Sequence, residues 1–332
     1  MSSAFAARLL AWHAEHGRHD LPWQQPREPY RVWVSEIMLQ QTQVATVIPY
    51  FERFMERFDT VAALAVAPVD DVLAAWSGLG YYARARNLHR AAGLIVECHG
   101  GELPIEAEAL QALPGIGRST AHAILAQCHG QRLPILDGNV KRVLARHAAI
   151  DGPVQSAAVQ KRLWAESAAR LPDDRLADYT QAIMDLGAGT CTRTRPRCGD
   201  CPVHQDCRAL AEGRVDELPQ RRSRAARRSR TWTARLVRDG EQVLLTRRPP
   251  SGIWGGLWSL PIETAEPPAG AAVCAELQHA FSHFDLRLVC VQAEAPADAV
   301  ADGEQAWFTI ERALQLGLPR PIRTVLEAQT RE

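Results

Sequence analysis

Apolar residues along the first two thirds of the chain recur at helical spacing. Val47, Tyr50, Phe51, Phe54, Met55 and Phe58 fall on one side of a helix, with Glu52, Arg53, Glu56 and Arg57 on the other. The same period runs from about residue 4 to 210 and predicts an all-α region. Asp59-Thr60 and Asp70-Asp71 offer short polar side chains that can cap backbone N–H groups at helix starts. Gly78, Gly80, Gly100, Gly101, Gly115, Gly117 and Gly138 punctuate the segments.

From Leu218 through Pro219-Gln220-Arg221-Arg222-Ser223-Arg224 to Arg230 the apolar period is lost, which predicts an exposed linker whose arginines could also lie along phosphates. Beyond it the period changes to two. Trp232, Ala234 and Leu236 alternate with Thr233, Arg235 and Val237, and Val243-Leu244-Leu245 and Leu286–Val291 supply further strands. Asp239-Gly240 and Asp302-Gly303 carry turn chemistry, and Glu311–Leu316 and Pro321–Ala328 return to helix. The expected organisation is a helical domain over 1–213, a linker over 214–230 and a mixed α+β domain over 231–332.

A length of 332 residues suits two or three domains, and the 46% of hydrophobic residues is that of a globular protein. The 38 Lys and Arg balance the 38 Asp and Glu, so charge alone names no polyanion partner, although a neutral total can hide a basic face. No stretch approaches the roughly 18 apolar residues that span a bilayer, and the start lacks the apolar core of a signal peptide. A cytoplasmic protein with no membrane partner is expected.

Four of the eight cysteines lie in one short stretch, Cys191-x6-Cys198-x2-Cys201-x5-Cys207. Such clustering reads as a metal site in a reducing compartment rather than a disulfide framework. Four thiolates suit a structural zinc or a [4Fe–4S] cluster, and spacing alone leaves both open. His204 reads as a surface residue, and Cys98, Cys128, Cys274 and Cys290 as ordinary core or surface residues.

This spacing, directly after Asp185-Leu186-Gly187-Ala188, resembles the iron–sulfur loop of the endonuclease III and MutY group of DNA glycosylases. The resemblance implies a [4Fe–4S] cluster with a structural and DNA-positioning role. Leu113-Pro114-Gly115-Ile116-Gly117-Arg118-Ser119, with Asp137 some twenty residues later in Leu136–Arg142, resembles the helix–hairpin–helix of the same superfamily. Two glycines before a helix permit positive φ and close approach of another backbone, and free N–H groups there can grip a phosphate. Bifunctional members carry a lysine where this chain has Ser119, which cannot form a Schiff base. Base removal with weak or no strand cleavage follows, with Lys141 close enough in sequence for adventitious trapping only.

Likeness to the MutY-type adenine DNA glycosylases covers essentially the whole chain. It is carried by Leu21-Pro22-Trp23-Gln24, Ser35-Glu36 to Gln43, Gly78-Leu79-Gly80-Tyr81-Tyr82 to Asn87, Leu136 to Arg142 and the cysteine loop. The family fold is a helix–hairpin–helix domain with a cluster loop (191–207), followed by a Nudix-like α+β domain. The resemblance implies that Glu36 protonates adenine, Asp137 stabilises the oxocarbenium-like sugar, and Asn139 orients Asp137 and water. Leu21, Trp23 and Gln181 line the base pocket. Gln40, Gln41 and Tyr81 wedge the duplex, and Gly115, Gly117 and Ser119 meet its backbone. Burial among Trp33, Val34, Ile37, Met38 and Leu39 would itself raise the pKa of Glu36. Without the family likeness, Glu36 reads as an exposed helix glutamate and Asp137 as a turn residue or cap.

Arg247-Arg248-Pro249-Pro250-Ser251-Gly252-Ile253-Trp254-Gly255-Gly256 resembles a Nudix domain, and Phe281-Ser282-His283-Phe284 resembles the family's lesion-reading loop for 8-oxoguanine. A Nudix hydrolase needs a metal-holding run of glutamates, whereas this chain offers only Glu263, Glu266 and Glu276, so nucleotide hydrolysis is not expected. The implied partner is duplex DNA with adenine opposite 8-oxoguanine or guanine, bound by a monomer associated with the nucleoid. Three readings compete: an endonuclease III-like lyase for oxidised pyrimidines, a damage sensor that does not cut, and a nucleotide pyrophosphohydrolase. Ser119, the carboxylate pair and the missing glutamate run weigh against them in turn.

Overall fold

The computed structural model describes residues 4–220, 227–281, 283–294 and 304–330. Helices come first: α1 Ala4–His16, α2 Pro29–Leu39, α3 Val44–Arg57, α4 Val61–Val66, α5 Val69–Ala75, α6 Ala83–His99 and α7 Ala107–Ala112. They continue as α8 Arg118–His129, α9 Gly138–His147, α10 Ala157–Ala169, α11 Leu176–Asp185 and the short α12 Arg208–Ala211. Strands follow: β1 Arg228–Asp239, β2 Gln242–Arg247, β3 Trp258–Ser259, β4 Ile262–Glu263, β5 Val273–Ala280, β6 Phe284–Ala293 and β7 Gln305–Thr309. The last two helices are α13 Ile310–Leu314 and α14 Arg320–Ala328. The predicted change of period from helix to strand is therefore present.

The chain divides into two compact units. The first comprises Met1–Met55, Thr60–Ala62 and Ala91–Arg224. One apolar core in it joins Phe5 and Leu9 of α1, Val140 and Leu144 of α9, Leu163 of α10 and Tyr179 and Ile183 of α11. Pro29 occupies the first turn of α2, where a missing N–H costs nothing. Helix α8 stops on Gly130, whose φ of 61° is the left-handed cap that glycine adopts without strain. A π-helical turn, Leu186–Thr190, follows α11 and leads into Cys191.

Leu218 departs from the predicted exposed linker, being buried against Ala149 and Ala209. Arg228 and Arg230 likewise belong to β1, because strand pairing starts where the apolar alternation has not yet begun.

The second unit comprises Glu56–Asp59, Ala63–Arg90 and Ala225–Glu332. Its sheet runs β3-β2-β1-β6-β5, with β4 also on β1 and β7 also on β2. β1 and β6 are parallel, from Arg228 opposite Phe284 to Val237 opposite Ala293. As an interior strand β1 buries both faces, so Thr233 and Val237 are enclosed beside Trp232, Ala234 and Leu236, contrary to the expected alternation. The Thr233 hydroxyl donates to the Ala265 carbonyl at 2.8 Å, which offsets its burial. Asp70 and Asp71 lie within the first turn of α5, after Pro68 as cap, so they complement the helix dipole rather than cap it. Asp70 pairs with Arg247 in the same unit. Tyr82 is buried, accepting from the Gly78 N–H at 3.2 Å and donating to the Leu318 carbonyl at 3.1 Å.

Candidate active site

Within the first unit, a cleft of about 890 Å³ is lined by Leu21, Trp23, Glu36, Gln40, Gln41, Ser119, Asp137, Asn139 and Gln181, together with Arg18, Thr120, Met184 and Ala188. It thus gathers both carboxylates, the three expected base-pocket residues, two of the expected wedge residues and Ser119. Gly115 and Gly117 are not among its lining residues. Tyr81, Phe281 and His283 belong to the second unit, and Ser282 lies outside the described residues.

Glu36 arises from the buried face of α2, between Val32, Trp33, Val34, Ile37 and Met38. Its half-buried side chain lines the cleft. Burial pushes its pKa up from 4.5 to about 7, helped by the nearby charge of Asp137 and opposed by a hydrogen bond from Gln127. The Gln127 amide Nε2 donates to Glu36 Oε1 at 3.1 Å.

Asp137 is the cap of α9, and its Oδ1 accepts the Val140 N–H at 2.7 Å. Burial raises its pKa, but the Val140 and Asn139 N–H groups and the cations Arg142 and Lys141 all favour its charged form. Glu36 has only a neutral amide for support. The charge of Asp137 thus discourages that of Glu36, while the helix start and the neighbouring cations offset part of the burial of Asp137 itself.

The first turn of α8 is tied to the segment before α9, since the Leu136 N–H donates to Ser119 Oγ at 2.9 Å. Gly115 takes a φ of +82°, as expected for the hairpin. Gly117 does not need glycine for conformation, because its φ of −87° is ordinary and a Cβ there would meet nothing within 4 Å. It caps α8 without a side-chain hydrogen bond, which leaves first-turn N–H groups for an outside acceptor.

Asn139 Oδ1 is taken by Arg142 Nη2 at 2.9 Å, which turns its NH2 end toward other partners. A Cβ added to Gly187 would stand 2.6 Å from Asn139 Cβ, so the π-helical turn owes its closeness to that glycine. Gln181 donates to Asp185 Oδ1 at 2.7 Å, and the same carboxylate accepts Arg18 N at 2.9 Å and Arg18 Nε at 2.8 Å. That network fixes Gln181 with its carbonyl oxygen as the free end. Trp23 is wedged edge-on against Phe51 with centroids 5.4 Å apart. Gln41 and Tyr81 both hold left-handed backbones, at φ of 62° and 50°, an uncommon conformation for non-glycine residues that clusters at functional sites.

Gln127, Arg142, Arg18 and Asp185 were not expected at the site. The available signals were a glutamine at the end of the otherwise apolar run of α8 and an aspartate beside Met184 at the end of α11.

Cys191, Cys198, Cys201 and Cys207 line one hollow with Val143, Leu186 and Val203. Among the described residues, no three His, Cys, Asp or Glu side chains are placed to hold a single metal ion. Burial and the other three cysteines push the Cys201 thiol up to about 11, so a cationic centre among the sulfurs would favour its charged form. Arg146 Nη1 lies 3.4 Å from Cys191 Sγ, and Arg142 Nε donates to the Cys191 carbonyl at 2.7 Å. His204 turns to the Cys201 carbonyl, 2.7 Å away.

In the second unit, Phe281 stacks on Phe284 with centroids 4.6 Å apart and meets Trp254 at 5.7 Å and His279 at 4.6 Å. Glu263 pairs with Arg235, and Glu266 and Glu276 pair with Arg287.

A family model described as HhH-GPD superfamily base excision DNA repair protein matches residues 34–168, and a NUDIX domain model matches 233–328. Among curated relatives, the adenine DNA glycosylase of Buchnera aphidicola subsp. Acyrthosiphon pisum (strain APS) is 33% identical over 338 residues, covering 97% of each chain. The adenine DNA glycosylase of Homo sapiens is 35% identical over 388 residues, covering 93% of this chain and 71% of the relative. Among solved structures, a thermostable thymine-DNA glycosylase aligns with a TM-score of 0.56 and 23% identity, over 63% of this chain and 95% of the other. Endonuclease III from a non-covalent DNA complex aligns with a TM-score of 0.54 and 20% identity, over 63% and 94%. These two structural likenesses establish the fold of the helical unit.

Proposed function

The chain belongs to the adenine DNA glycosylases, base excision repair enzymes of the HhH-GPD superfamily, and on that premise we propose that it hydrolytically removes adenine paired with 8-oxoguanine or guanine from duplex DNA. The observation that carries this reading is the carboxylate pair of one cleft, with Glu36 raised to about 7 and Asp137 held by helix N–H groups and cations.

A paired adenine is out of reach within the stack, so it must leave the helix to enter the cleft. Leu21 and Trp23 supply apolar walls for it, and the free carbonyl oxygen of Gln181 can accept from its exocyclic amine. Gln40, Gln41 and Tyr81 occupy or prise the vacated space. Glu36 gives its proton to adenine N7, which makes the neutral base a leaving group. The C1′–N9 bond then breaks, its electrons go to the base, and positive charge develops on the sugar. Asp137 stabilises that charge, as the second carboxylate does in glycoside hydrolysis. Water, oriented by Asn139 and Asp137, adds to C1′ and leaves its proton with Asp137 or solvent. Ser119 has no amine to form a Schiff base, so the product is an abasic site in an intact strand.

The open N-terminus of α8, with the Gly115 turn, is the phosphate contact of this reading. Cys191, Cys198, Cys201 and Cys207 would hold a [4Fe–4S] cluster, which would brace the loop beside α9. The donor set supports it: four soft sulfurs spread around a common space, next to arginines. Phe281 and His283, with Ser282, read the base opposite. Glu263, Glu266 and Glu276 are each engaged by an arginine, which argues against metal-dependent nucleotide hydrolysis there.

The test is base release from A:8-oxoguanine, A:G and A:T duplexes, scored as strand breaks after alkali. Breaks on the first two only, and few without alkali, are expected. Release of pyrimidine lesions, or cleavage without alkali at the same rate as base loss, would overturn it.

A further inference from the structure

Gln127 is 5% exposed and ends a run, Ala121 to Gln127, in which every residue of α8 is buried. A primary amide in such surroundings is costly to bury without partners. Its Nε2 spends one hydrogen on Glu36 Oε1, 3.1 Å away, across 91 residues of chain. Of the two oxygens of a carboxylic acid, the one accepting an N–H serves as the carbonyl oxygen, and the other carries the proton.

We propose that Gln127 is the positioning residue for the acid: by holding Glu36 Oε1 it makes Oε2 the oxygen that carries and delivers the proton, and it sets how readily that proton leaves. This rests on the reading of Glu36 as the general acid. The amide favours the charged form of Glu36 and so opposes the lift from burial and Asp137. The titratable groups that act on or respond to Glu36 are Asp137 at the start of α9 and Cys128 next to Gln127, while Arg18, which lines the same cleft, is engaged by Asp185. Burial pushes the Cys128 thiol up to about 12, so it stays neutral through the working range and adds no competing titration. Gln127 thereby keeps the acid near neutrality instead of above it, where the proton would be held too tightly to give away.

The experiment uses the full chain with Gln127→Leu and, should leucine disturb the packing, Gln127→Met, beside Glu36→Gln. Single-turnover adenine release is followed from pH 5 to 9, with duplex affinity and melting as controls. Both Gln127 variants are expected to bind duplex as the unsubstituted chain does, to release adenine about tenfold more slowly near pH 6, and to keep that rate about one pH unit further into alkali. If Glu36→Gln is inactive while the Gln127 variants keep both rate and alkaline midpoint, the positioning role is refuted and the acid assignment stands. Wild-type rates in Glu36→Gln would remove the acid assignment and this inference together.

Discussion

Replacing Glu36 by glutamine should stabilise the protein at pH 8 while abolishing its chemistry. Folding takes the Glu36 carboxyl from an ordinary pKa of 4.5 to about 7. The folded chain therefore binds more protons than the unfolded chain between those values, and stability falls as pH rises through that window. At about 1.4 kcal/mol for each tenfold change in proton affinity the full penalty is about 3 kcal/mol, and the cleft's water reduces it to about 2–3 kcal/mol. Glutamine has nearly the same shape, and its oxygen can still accept the Gln127 amide, but it never pays for a buried charge. Urea titrations of both proteins, followed by tryptophan fluorescence, should show no gap at or below pH 4.5. The variant should gain steadily up to pH 7 and hold a constant advantage of about 2–3 kcal/mol above it. In thermal melts that advantage is about 5–10 °C for a unit of this size. A gap independent of pH, or one that closes as pH rises, would refute the burial and orientation assigned to Glu36.

The same raised acid predicts that single-turnover base release is flat below about pH 7 and falls close to tenfold per pH unit above it; a flat profile to pH 9 would contradict the assignment. Asp137→Asn keeps the cap of α9, since asparagine accepts the Val140 N–H equally well, so folding and duplex binding should persist while release drops by at least about a hundredfold. Ser119→Ala leaves the Leu136 N–H without its acceptor, which should cost about 1 kcal/mol in urea stability and slow release without changing the product. Cys198→Ser should yield protein lacking the visible absorption of an iron–sulfur cluster and with weakened duplex affinity; unchanged absorption would show that the loop holds something else.

Parts of this site could be read from the chain because they are local in sequence, whereas the pairing of Glu36 with Asp137 was implied only by the family likeness. The Gly115 turn, the cap role of Asp137 and the four-cysteine loop are each encoded within a few residues. What could not be read depends on residues far apart. A glutamine at 127 is unremarkable until α8 lies against α2, and Asp185 is a stray charge until Arg18 and Gln181 converge on it. The glycine at 117 misled in the other direction: its type suggested an unusual backbone, but its φ is ordinary. In the second unit the two-residue period was legible, yet the burial of Thr233 and Val237 was not. Alternation describes a strand with one wet face, and β1 is interior.

The bonds that build the cleft also say when it can exist. Gln127 reaches back 91 residues to Glu36, Arg18 reaches forward 167 residues to Asp185, and Ser119 is tied to Leu136 only 17 residues on. The short closure that sets the turn before Asp137 can form early in folding, whereas the two long ones require α8 to meet α2 and the segment after α1 to meet the end of α11. During synthesis, a ribosome-bound chain ending before Asp185 would hold both carboxylates without the network that fixes Gln181. Loosening of α11 or of the segment after α1 would therefore undo the network that fixes Gln181.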